Sequence, residues 1–354
     1  MRIIPFGLIW LLLGWVFLFI ERAVLGHENS GPDTAIRVDF NILVFASLAV
    51  TGVGLFVGTI EVFFLDRLLG RLSLGSKILL KLFIYALLFF LISLVFFPLA
   101  ASIEMELPLL DKRVWERYGS YLTSITHLST NVQMAVSLGL SLFYAEMSEN
   151  IGQGVMANFF TGKYHRPIEE DRIFMFLDMR SSTTIAEQLG HIKYFKLLRQ
   201  YYADLSDPII EHGGELYQYV GDEVIISWKP GTGRDNNHCI RCFFAMKEEL
   251  EKRKDWYIKK FGLLPAFKAG LHYGKVTTGE IGVIKKEIFF TGDILNATAR
   301  IQALCNTYDA DILLSADLAG ILDHGREFHF SSMGKQSLRG KKEKVELFTV
   351  NRVA

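Results

Sequence analysis

The hydrophobic pattern divides the chain into two halves. In the first, apolar residues run on without interruption; in the second, they recur at short intervals. Residues 3–20 (IIPFGLIWLLLGWVFLFI) and 41–60 (NILVFASLAVTGVGLFVGTI) carry no charge, and 78–100 is broken only by Lys81. Each is long enough to cross the hydrocarbon core of a bilayer. A fourth stretch, 131–145 (NVQMAVSLGLSLFYA), is shorter and more polar, and with its flanks makes a fourth span. The apolar core of the first run is long for a signal peptide and further spans follow it, so it reads as a retained helix. The pattern predicts a four-helix transmembrane domain over residues 1–147. The short loop after the second span carries Arg67, Arg71 and Lys77, which marks the cytoplasmic side. An even span count then puts both termini in the cytosol of a multi-pass protein of the inner (plasma) membrane. Gly54 and Gly58 offer a helix-packing face, and Glu61 is expected to reach the interface. No convergent set of intramembrane charges is expected, which argues against a transporter.

Residues 148–171 are polar and connect this domain to a second one over 172–354. There the pattern predicts a strand at 172–178, helices at 182–189 and 191–211, and a hairpin at 215–228. A helix at 237–260, strands at 266–273 and 286–290, and a helix at 293–305 follow. The last elements are strands near 311–315, 326–331 and 345–351. The order is that of an α+β, ferredoxin-like βααββαβ domain, read as an antiparallel sheet with helices on one face.

Charge adds an exclusion: 38 basic against 38 acidic residues leave no global field for nucleic acid. Three cysteines, Cys239, Cys242 and Cys305, all lie in the second half. Cys239-x-x-Cys242 has no second CxxC and sits in a helical pattern, so we read it as a pair of small buried apolar residues.

The candidate chemistry lies in LYQYVGDEVIISW, residues 216–228. A Gly-Asp turn between two β-branched and aromatic runs is ordinary hairpin chemistry, yet it sets Asp222 and Glu223 at one tip. A second carboxylate, Asp178, follows the apolar run Phe174–Leu177 at the end of the first predicted strand. The residues after it, Ser181 to Thr184, suit a helix cap and could present backbone N–H groups to an anion. Helix capping alone would account for Asp178. Two carboxylates on adjacent strand ends can also hold a hard cation such as Mg²⁺.

Four segments in series, FMFLDMRSSTTIAEQLG, GGELYQYVGDEVIISW, FKAGLHYGKVTTGEIG and FTGDILNATARIQ, resemble the catalytic domain of the class III nucleotidyl cyclases. The resemblance covers the soluble half; the membrane half resembles no family we can name. It implies a phosphorus-oxygen lyase using two Mg²⁺ or Mn²⁺ ions per site, held by Asp178 and Asp222 with backbone near Met179. Asn296 would orient the ribose and Arg300 would stabilise phosphate charge; the two are one helical turn apart. Arg339 or Lys341 would bind the triphosphate, with a surface charge run as the alternative. The resemblance also implies a homodimer whose sites take the aspartates from one chain and the Asn/Arg pair from the other. The base-reading positions fall on Gln218 and on Phe289 or Thr291. A glutamine amide can satisfy adenine or guanine, and the guanine-reading glutamate and cysteine of the family are missing, which favours ATP over GTP. Guanylate cyclase, diguanylate cyclase and a membrane receptor with an inactive cyclase-like module stay open as alternatives.

Overall fold

The computed structural model describes residues 3–25, 40–65, 68, 74–151, 162–284, 286–337 and 344–353. They form two compact units, Met1–Gln153 and Gly154–Ala354.

In the first unit the apolar runs become helices α1 (Ile4–Leu25), α2 (Phe40–Ile60), α3 (Leu74–Met105) and α5 (Ile125–Ile151). A short amphipathic helix, α4 (Lys112–Leu122), precedes α5 and is N-capped by the Asp111 carboxylate, which accepts from the Arg113 N–H. Among the described residues only two helical stretches, 40–65 and 79–105, are long and apolar enough to cross a membrane, against the four spans expected. The first apolar stretch is shorter, 4–20. The helix holding 131–145 is interrupted by Asn131, Gln133, Ser137 and Ser141. Arg67 and Arg71 lie outside the described residues.

Gly54 and Gly58 work inside the chain. A Cβ at Gly54 would lie 2.8 Å from Trp10 Cβ and one at Gly58 2.8 Å from Phe6 Cγ, so α1 rests directly on α2. Glu61 does not reach an interface. It is 3% exposed in a π-helical turn after α2 (Glu61–Leu65), and its carboxylate accepts from the Lys81 ammonium and the Tyr85 hydroxyl of α3. Lys81 and Tyr85 gather there because a carboxylate withdrawn from water needs donors around it.

The second unit follows the predicted order, with the strands expected at 172–178, 266–273 and 326–331 each longer. Its elements are β1 (Ile168–Met179), α6 (Ser182–Leu189), α7 (His191–Glu211), β2 (Glu215–Val220) and β3 (Glu223–Trp228). Then come α8 (His238–Lys252), α9 (Lys254–Phe261), β4 (Phe267–Ile281), β5 (Glu287–Thr291), α10 (Asp293–Leu304), β6 (Ile312–Ser315), β7 (Phe328–Gln336) and β8 (Val345–Arg352). The strands order as β2-β3-β1-β4-β6-β8-β7, with β5 paired to the far end of β4. The sheet is mixed: β4 and β6 run parallel, because the chain returns between them through β5 and α10.

Helices cover both faces, not one. Ile173, Met175 and Leu177 of β1 pack beneath α7, α8 and α9, while Phe174 and Phe176 face Ile294 at the start of α10. A strand buried on both sides reads as the continuous apolar run seen in the sequence. The close seat of α10 depends on Gly270, where a Cβ would fall 2.3 Å from the Gln302 backbone nitrogen. The single helix expected at 237–260 breaks at Arg253, whose guanidinium turns to the buried Asp204; Tyr257 donates to the same carboxylate. Cys239 and Cys242 are fully buried in the core under α8, where burial pushes the Cys239 thiol up to about 12 and Cys242 higher still.

Candidate active site

Strand β1 ends at Met179 and the β2–β3 turn falls at Gly221-Asp222, so the two strands bring Asp178 and Asp222 to one rim of the sheet. The carboxyl groups are close enough to affect one another. Burial raises Asp222 above the usual carboxylate range, a Ser182 hydroxyl bond opposes this, and the Asp178 carboxyl pushes it up again. Glu223 is raised for the same reasons, burial first and then the two aspartates. Asp222 Oδ2 is buried with no hydrogen-bond partner. A buried, unsatisfied carboxylate oxygen facing a second carboxylate is costly by itself and suits a hard cation. The residues present therefore fit the divalent metal that the resemblance implies, although among the described residues no three His, Cys, Asp or Glu side chains converge.

Two partners of Asp178 escaped the sequence reading. Lys268 Nζ lies 3.3 Å from Asp178 Oδ2, and Gln302 Nε2 donates to the same oxygen at 3.1 Å. Lys268 is directly opposite Asp178 in the β1/β4 register, so the signal existed but needed the pairing to be known. The Met179 side chain is buried in the core, which leaves only its backbone for a ligand. Ser181 does not cap α6 through its side chain. It takes a left-handed conformation (φ 55°), and the N–H groups of the first turn receive no side-chain cap.

Helix α7 leans on the hairpin. The Tyr202 hydroxyl donates to the carbonyl of Gly221, the residue before Asp222, and its ring stacks on Tyr219 at 4.3 Å. Burial, then the charge of Asp222, push the Tyr202 phenol up to about 12, so it remains a protonated donor.

Asn296 and Arg300 are not part of this cluster. Asn296 is exposed and Arg300 half-buried on α10, while Ile294, Ala297, Ile301 and Gln302 face inward. At roughly 100° per residue, Arg300 points about 200° round the helix from Gln302, away from its own chain's Asp178. The β2 bulge between Leu216 and Gln218 sets Gln218 opposite Ile225, on the α10 face. The Phe290 N–H donates to the Tyr217 hydroxyl at 3.4 Å, so β5 comes close to β2 there. Phe289 and Thr291 alternate with Phe290 and project to the other side, both exposed. Arg339 and Lys341 lie outside the described residues.

The family model for the adenylate and guanylate cyclase catalytic domain matches residues 166–352. "Adenylate cyclase 2" of Rhizobium meliloti (strain 1021) is 32% identical over 223 residues, covering 63% of this chain and 61% of that protein. "Adenylate cyclase" of Anabaena cylindrica is 27% identical over 183 residues, 50% of this chain and 36% of that one. The chain thus spans less than two thirds of either relative. A solved bacterial light-regulated adenylyl cyclase shares the fold, with a TM-score of 0.55 at 21% identity over 65% of this chain and 67% of that one. With the family model covering more than half of its length, the chain belongs to the adenylate and guanylate cyclase catalytic domain family.

Proposed function

We propose that this protein is a membrane-anchored adenylate cyclase that converts ATP to 3′,5′-cyclic AMP and pyrophosphate at sites shared between two copies of the chain. The observation that carries the reading is the split of the site. Asp178 and Asp222 meet within one chain, while Asn296 is exposed and Arg300 half-buried on the side of α10 turned away from them. A second chain is what brings the two halves together.

In this reading Asp178, Asp222 and the backbone at Met179 would hold Mg²⁺ or Mn²⁺. Bound there, the ions supply Lewis-acid charge that lowers the pKa of the ribose 3′-hydroxyl and draws charge from the triphosphate. Asn296 of the other chain orients the ribose. Arg300 takes up the charge that builds on the phosphates as the 3′-oxygen bonds to the α-phosphorus and pyrophosphate leaves. The N–H groups at the start of α6, which follows β1 directly, would offer phosphate donors, and Arg339 or Lys341 would add positive charge to the triphosphate.

Support for the membrane anchor comes from the first unit's inverted surface. On α5, Ser137 and Ser141 are buried, and Ser141 accepts from Trp10 Nε1 at 3.1 Å. Val132, Val136, Leu140 and Phe143 are exposed on the same helix. A helix in water does the reverse; one in lipid turns small polar residues toward its neighbours. We therefore keep the multi-pass placement in the plasma membrane, with the cyclase domain in the cytoplasm.

The test is to incubate the full chain with Mn²⁺ and ATP or GTP and to identify the product. Cyclic AMP supports the reading. Cyclic GMP alone would move the substrate to GTP, which an exposed Gln218 could also read. Absence of both products, or activity that survives Asp178→Ala and Asp222→Ala, would overturn it.

A further inference from the structure

The hairpin that carries Asp222 is poorly held by its own strands. Among the described residues β2 is the edge of the sheet and pairs only with β3, its ladder slips at the bulge near Tyr217, and five of its six residues are exposed. Its tip must nevertheless hold Asp222 against Asp178, and two half-buried carboxylates side by side repel each other. An unbraced edge hairpin would relax outward.

We propose that Tyr202 is a positioning residue that braces the metal-binding hairpin from helix α7. This rests on the reading of Asp178 and Asp222 as metal carboxylates. The geometry is specific. The hydroxyl grips the carbonyl of Gly221, which stands in the left-handed region (φ 66°), and the ring lies on Tyr219 two residues earlier. One side chain thus fixes both the backbone orientation at the tip and the strand leading to it. Ser206, one turn along α7, donates its hydroxyl to the Tyr202 carbonyl at 2.7 Å. Its hydroxyl is taken up by the Gly221 carbonyl, so Tyr202 acts through the backbone next to Asp222.

Tyr202→Phe removes the grip on Gly221 and keeps the ring. In the full chain, calorimetric titration with Mn²⁺ should show a dissociation constant raised about 3- to 10-fold, the effect of one net hydrogen bond. The midpoint of metal-free thermal unfolding should stay within about 2 °C of wild type, since a hydroxyl at the rim adds little to the fold. Product formation should need correspondingly more Mg²⁺ but regain its wild-type maximum at saturating metal. Wild-type Mn²⁺ affinity in Tyr202→Phe, with affinity lost in Asp178→Asn, would overturn the brace alone. A loss of affinity matched by a general loss of metal-free stability would reduce Tyr202 to ordinary packing and overturn it too. Equal Mn²⁺ binding by wild type and Asp178→Asn would overturn both the brace and the metal reading beneath it.

Discussion

The Asp222 carboxyl is under electrostatic strain in the fold. Burial, and then Asp178, hold its carboxyl above the ordinary value of 3.8. The folded state therefore keeps this proton where the unfolded chain has lost it. The sign follows from linkage: stability falls as pH rises from about 4 through the raised value. Asp222→Asn should remove that slope and raise the metal-free melting midpoint at pH 7 by about 1–3 °C, measured by thermal unfolding. Added Mn²⁺ should stabilise wild type and not this variant. In wild type, Mn²⁺ affinity should climb over the same pH window as the proton is displaced. A variant that melts below wild type without metal would contradict the strained pair. The partners of Asp178 carry a second prediction. Gln302→Leu removes the donor to Oδ2 and keeps the volume, so it should alter metal affinity while shifting the fold by only about 1 kcal/mol; parallel Mn²⁺ titration and thermal unfolding check it.

At the scale of elements, α10 links the two halves of the proposed site. One side, through Gln302, touches Asp178 of its own chain; the other carries Asn296 and Arg300. Its height above the sheet is set by Gly270. Gly270→Ala would place a methyl group 2.3 Å from one α10 backbone atom and 2.6 Å from another, and backbone cannot swing aside as a side chain can. We expect a loss of about 2 kcal/mol or more in stability, with activity falling further because Arg300 moves with the helix. Thermal unfolding and product assays at a temperature where the variant stays folded separate the two effects. Wild-type activity and melting in Gly270→Ala would show that α10 has more room than its contacts indicate.

For the whole molecule the question is whether the site is shared. Asp178→Ala and Arg300→Ala homodimers each lack one part in both sites and should be nearly inactive. A mixed dimer gathers both defects into one site and leaves the other intact. With random pairing about half the dimers are mixed, so co-expression should restore roughly a quarter of wild-type activity. Recovery absent from preparations shown to contain mixed dimers would place the whole site within one chain. The membrane unit has its own assembly logic. Phe6 and Trp10 fill the space left by Gly58 and Gly54, so Gly54→Leu should separate α1 from α2, which cross-linking between cysteines placed on the two helices would detect.

The sequence alone determined the division into an apolar and an alternating half, the order of strands and helices, and the paired carboxylates at Asp178 and Asp222. These are local properties: period, turn chemistry and short motifs sit within a few residues of one another. What depends on contacts between distant residues was decided by the tertiary structure. Arg172 opens the strand predicted at 172–178, yet it is 1% exposed because Glu170, Glu215 and Tyr164 surround it. Glu61 reads as a residue at the edge of a span, and Lys81 and Tyr85 bury it. The parallel β4–β6 pair follows from where the chain goes between them, which no local pattern states. Lys268 meets Asp178 across a strand register, and Tyr202 meets Gly221 across a helix–hairpin contact 19 residues away in sequence. A carboxylate can be recognised from its neighbours in sequence, but the side chains that hold it in place come from wherever folding brings them, and only the packed molecule says which they are.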